Sequence, residues 1–126
     1  MRQQDSMATI RRAQQRTRSL IANVRQRLHA SREEIAALAS AAALVQTQIA
    51  RVRSDGAVLK HTRGAPWATT DPIERLHDDA ERIRRALATC KAQRSDLEQR
   101  LVPLETMGDG IAAAIAALER EEAGDA

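Results

Sequence analysis

Two tracts of apolar residues, spaced alternately three and four apart, constrain this chain more than any other feature. The first runs Met7, Ile10, Gln14, Thr17, Ile21, Val24, Leu28, Ser31, Ile35, Leu38, Ala42, Val45, Ile49, Val52. That is a heptad repeat with Met7 at an a position and Ile10 at d, and ten of its fourteen members are large aliphatic residues or Met. A 3.5-residue period puts them in one stripe along a helix, and such a stripe must be covered by another helix. No Pro or Gly occurs before Gly56. The spacing predicts a helix over 7–54, about 70 Å long at 1.5 Å per residue, stopped by Asp55-Gly56.

The second tract is Ile73, Leu76, Ala80, Ile83, Leu87, Cys90, Arg94, Leu97, Leu101, Leu104, Gly108, Ile111, Ile115, Leu118. Asp71 stands as N-cap before it, with Pro72 at the first helical position and Glu74 close behind. A helix over 71–121 is expected, with a frayed tail at 122–126. Pro103 lacks the N–H that the carbonyl of Gln99 needs. Met107-Gly108-Asp109-Gly110 is a second weak stretch. The arm is therefore expected to be kinked or broken near Pro103-Gly110, with a third short helix an open alternative after 108–110.

Folding the chain back at a tip loop over 55–70 pairs residues whose numbers sum to about 126. Met7 then meets Leu118, Ile21 meets Leu104 and Val52 meets Ile73. The weak seam positions coincide as well, Ser31 with Arg94 and Thr17 with Gly108, which is how a register is fixed. The fold class that follows is all-α, a long antiparallel two-helix coiled-coil hairpin forming a single domain over 1–126.

Composition agrees with a narrow seam. Trp67 is the only aromatic residue among 126, whereas a compact globule uses several to fill its core. The formal charge is +3, but residues 1–32 hold eight Arg against Asp5, and residues 104–126 hold six acids against Arg120. An antiparallel hairpin lays these ends side by side, so much of the basic excess is neutralised internally. Arg outnumbers Lys eighteen to two, a bias that a GC-rich genome alone produces.

Chemistry is sparse in the pattern. A lone Cys90 excludes an internal disulfide and a cysteine-based zinc cage, and suggests a reducing compartment. At a d position a small thiol packs well, whereas a nucleophile needs an electropositive, accessible setting. His29, His61 and His77 have no ligand-spaced partners beyond His77 with Glu81, a common pair on a solvated face. Asp78, Asp79 and Glu81 alternate with Arg82, Arg84 and Arg85 as helix-surface ion pairs do. No cofactor motif is present, since the Gly, Lys and Thr of residues 56–64 do not match a phosphate-binding loop. The expectation is a chain that is not an enzyme, without metal or cofactor. The start of the chain lacks an apolar leader core. The longest uncharged apolar run, Ile35 to Val45, is too short to span a bilayer. A cytoplasmic protein without a membrane span is expected.

Binding is the remaining class. Val58, Leu59, Arg63 and Trp67 place apolar and basic residues in the tip, and two readings are open. Trp67 folds back to plug the end of the seam, or it forms a docking knob with Leu59. Residues 35–45 and 111–118 are apolar all round the helix, which allows another helix to approach closely. Leu44 lies off the seam there with Ala37 and Ala41, on a face suited to a protein partner or to self-association. The alternative partner is nucleic acid, through Arg11, Arg12, Arg16, Arg18, Arg25 and Arg27. No aromatic interleaves those arginines.

With its two heptad tracts, Arg/Gln-rich first helix and Trp67 near the turn, the chain resembles the FliJ/YscO-like stalk proteins of bacterial flagellar and type III secretion export machines. The resemblance implies a non-catalytic helical hairpin that engages an export ATPase. This chain is shorter and poorer in Gln than that group. The small secreted proteins with Trp-x-Gly between two helices fit less well, because Pro66-Trp67-Ala68-Thr69 lacks the glycine and the arms are longer.

Overall fold

The computed structural model describes the backbone of residues 2–61 and 70–124, and the side chains of 4–55 and 72–124. All the described backbone is helical. α1 runs Arg2–His61 and α2 runs Thr70–Gly124, and the two pack against each other as an all-α helical hairpin. Every one of the twenty-eight seam positions is buried or half-buried. Outside the seam, only Ala13, Ala41, Glu81, Ala86 and Glu105 share that status among the described residues, so the heptad repeat locates the interface almost residue by residue.

Both helices are longer and less interrupted than the sequence pattern predicts. α1 does not stop at 54 but continues through Gly56 to His61, so the tip loop does not begin at 55. A glycine inside a helix costs only about 1 kcal/mol relative to Ala, and Ala57, Leu59 and Lys60 favour continuation. α2 is not broken at 108–110. It passes through Pro103, Gly108 and Gly110 without interruption and reaches Gly124, beyond the start of the expected tail. Seam contacts on both sides of the flaws, at Leu101 and Leu104 and again at Ile111 and Ile115, hold the helix where local propensity is poor. Pro72 falls in the first turn, where its missing N–H has no helical partner to lose.

The chain divides into two compact units: Met1–Ala30 with Arg94–Ala126, and Ser31–Gln93. In the first, Val24, Leu28 and Leu97 form a buried cluster with Leu101 and Leu104 packed against it. Thr17 faces Gly108, as the register predicts. A Cβ added at Gly108 would lie 3.8 Å from the Thr17 methyl and 3.4 Å from Ile21 Cδ1. In the second, Val45, Ile49 and Ala80 are buried with Leu76 and Ile83 against them. There the Ser31 hydroxyl donates to the Cys90 carbonyl at 3.4 Å.

Candidate docking surfaces

Within each unit the two helices run antiparallel, which brings e positions opposite e positions and g positions opposite g positions. In the first unit these two flanks differ in character. On the e flank, Arg11 meets Glu119 at 3.5 Å and Arg25 meets Glu105 at 3.1 Å. This is the internal neutralisation that the charge distribution suggested. Between the two pairs, Thr17, Gly108 and Ala112 leave a recess of about 560 Å³ with Arg18, Arg25, Glu105 and Asp109 at its edge.

The g flank of the same unit carries exposed apolar side chains alongside Arg27, Arg100 and Glu121. Leu20 projects there with 49% of its surface exposed, and Met107 with 54%. Beside Leu20 runs a groove of about 420 Å³ with Val24, Leu104 and Pro103 along it, and with Arg27, Arg100 and Asn23 at its edges. Arg100 is held by Asp96 one turn away, at 3.0 Å. On the outer face of α2, Val102 is 65% exposed. Met107 also receives a long hydrogen bond at its sulfur from the buried Thr17 hydroxyl, at 3.8 Å.

In the second unit, Leu44 is 60% exposed and stands off the seam as expected. Ala37 is exposed beside it, whereas Ala41 is half-buried between the helices. The tip candidates Val58, Leu59, Arg63 and Trp67 lie outside the residues whose side chains are described, and Arg63 and Trp67 lie outside the described backbone too. Leu20, Val102, Pro103 and Met107 are exposed residues that the sequence pattern did not single out as docking candidates. Leu20 offered a signal, as a large aliphatic residue at a g position. Pro103 read only as a helix flaw, because its neighbour across the groove is on the other helix.

Several charged groups of the second unit are engaged in local pairs. Glu81 accepts from Arg84 at 2.8 Å and from Arg85 at 3.4 Å, so it does not combine with His77. The His77 ring instead meets the Arg53 guanidinium at 3.4 Å. Cys90 is buried, and burial raises its thiol pKa, with the Glu34 carboxylate raising it further by its charge and by accepting a hydrogen bond from the thiol. Among the described residues no group of three or more His, Cys, Asp or Glu is placed to hold a metal ion.

Each helix also contains a stretch long and apolar enough to cross a membrane by length and composition alone. In α1 such a stretch is residues 35–52, with Arg51 as its one charge, and in α2 residues 101–118, with Glu105 and Asp109. Little of either is buried against the partner helix.

Comparison with family models, curated proteins and solved structures finds no match.

Proposed function

We propose that the chain is a non-catalytic protein–protein interaction subunit, a coiled-coil adaptor or stalk that docks partners through apolar flanks left open beside its seam. The asymmetry between flanks carries this reading. One side of the first unit carries Arg–Glu pairs, while the other exposes Met107 and, beside an apolar groove, Leu20, and Leu44 stands exposed in the second unit. Large apolar groups grouped on one face mark sites of association.

A cytoplasmic setting without a membrane span is part of the proposal. Opposite residues 101–118, α1 carries Arg11, Arg12, Arg16 and Arg18, and opposite residues 35–52, α2 carries Asp78, Asp79, Glu81, Arg82, Arg84 and Arg85. Taking either stretch into hydrocarbon would take its charged neighbour along, at a cost of several kcal/mol for each charge, on the order of 2–3 at least. The stalk role implied by the FliJ/YscO-like resemblance is compatible with the hairpin, and its export-machine partner is the first to test.

Affinity capture with wild type, Leu44→Arg and Trp67→Ala tests the reading. Loss of a partner from either variant, with helicity kept, is the expected result. Identical partner sets for all three chains would remove the Leu44 and Trp67 surfaces. The competing nucleic-acid reading is weakened by the engagement of Arg11 and Arg25 with carboxylates. It requires DNA or RNA affinity that falls steeply with added salt, so absent or salt-insensitive binding excludes it.

A further inference from the structure

We propose that the recess on the e flank of the first unit takes an acidic side chain from a partner polypeptide. That side chain completes a ladder of ion pairs which this chain leaves one rung short. The recess lies on the flank opposite the Leu20 groove, so it is independent of the apolar docking reading.

The helix register makes the missing rung visible. On this flank Arg11 pairs with Glu119 and Arg25 with Glu105. Halfway between the two pairs, the same register sets Arg18 against Ala112. The arginines on either side each have a glutamate across the seam, whereas Arg18 has only a methyl group. Among the described residues, no carboxylate pairs with Arg18 and no cation pairs with Asp109. The recess of about 560 Å³ falls at this rung, with Arg18 and Asp109 at its edge.

Its floor suits the stem of a glutamate or aspartate. Gly108 contributes no side chain, and the Thr17 hydroxyl is directed at the Met107 sulfur on the other flank. The Thr17 methyl and Ile21 Cδ1 both lie within 4 Å of where a Gly108 Cβ would stand, so the floor is hydrocarbon. Methylene groups pack on such a floor while their charged head stays at the rim. The volume exceeds what one acidic side chain fills, which leaves room for the backbone that carries it.

Charge decides which polymer fits. The two edge groups without partners have opposite signs, so Arg18 attracts an acid and Asp109 a base. A polypeptide supplies both, as an acidic residue near a basic one. A nucleic acid supplies a row of phosphates, which Asp109 repels.

Fluorescence anisotropy with a labelled helical peptide of repeated Glu-Ala-Ala-Ala-Lys blocks tests the site. The full chain should bind it, with an affinity that falls as salt is raised. A peptide with glutamine in place of glutamate should not bind. Arg18→Gln should weaken binding by about tenfold, the loss expected for one hydrogen-bonded contact to a charged group. Ala112→Glu supplies the missing rung from within and should weaken binding as much, with the helical circular dichroism retained. Leu44→Arg should leave peptide binding unchanged. A wild type that does not bind overturns the proposal. So does binding indifferent to Arg18→Gln, to Ala112→Glu or to the glutamine peptide, or lost in Leu44→Arg. Labelled single-stranded DNA that binds with the same dependence on Arg18 overturns it as well. The apolar docking reading is tested separately, by the partners that Leu44→Arg and Trp67→Ala capture.

Discussion

Cys90 shows how a single seam position joins packing to chemistry. Its thiol is buried and faces Glu34, and both burial and that carboxylate favour the protonated form. The folded chain therefore keeps this proton above the pH at which the unfolded chain releases it. Stability from this site is complete below the ordinary thiol value of 9.0 and is lost as pH rises through the higher folded value. Urea midpoints should fall above pH 9 in wild type and fall less in Cys90→Ala. With no Tyr and two Lys in the chain, few other groups titrate there. Equal slopes in the two proteins would show that Cys90 contributes nothing. Gly110 offers the opposite kind of change. A Cβ there meets nothing within 4 Å, so Gly110→Ala should stabilise α2 by about 1 kcal/mol in chemical denaturation. Gly108→Ala should gain less, because its new methyl would press on Ile21 at 3.4 Å.

At the scale of the element, α2 shows tertiary packing overriding local propensity. Pro103 leaves the Gln99 carbonyl without its helical donor, yet the helix continues because Leu101 and Leu104 remain in the seam. Pro103→Ala should raise the unfolding free energy by about 2–3 kcal/mol, measured by urea titration of the circular dichroism signal. No change would mean that the missing bond is already replaced. In α1, Ile49 is among the most buried side chains, at 3% exposure. Ile49→Ala should cost about 2–5 kcal/mol, a large share of what a helix pair with so thin a core can have. The heptad made such residues legible in advance, since a 3.5-residue period dictates which side chains point at the partner helix. It did not reveal the helix ends. Whether Gly56 stops α1 depends on a difference of about 1 kcal/mol, too small for a sequence signal to decide.

For the whole molecule, the basic and acidic ends expected to lie side by side meet in two Arg–Glu pairs, which say little about stability. Arg11–Glu119 and Arg25–Glu105 are well exposed, and such pairs contribute under about 1 kcal/mol each. Raising the salt concentration should therefore shift the melting temperature only slightly. A large loss would mean that the e flank, and not the seam, holds the helices together. The apolar groove on the g flank was harder to foresee. Leu20 and Pro103 come from different helices, and neither is conspicuous until the antiparallel pairing places them along one groove.

Sequence alone determined that this chain forms two helices and which side of each is covered. Those follow from local periodicity, and periodicity is written in the order of the residues. The tertiary structure decided that the helices continue through Gly56, Pro103 and Gly108, because contacts on either side outweigh weak local propensity. It also decided which off-seam residues become neighbours. That depends on the flank each helix turns toward the other, a geometry that exists only once the pair has formed.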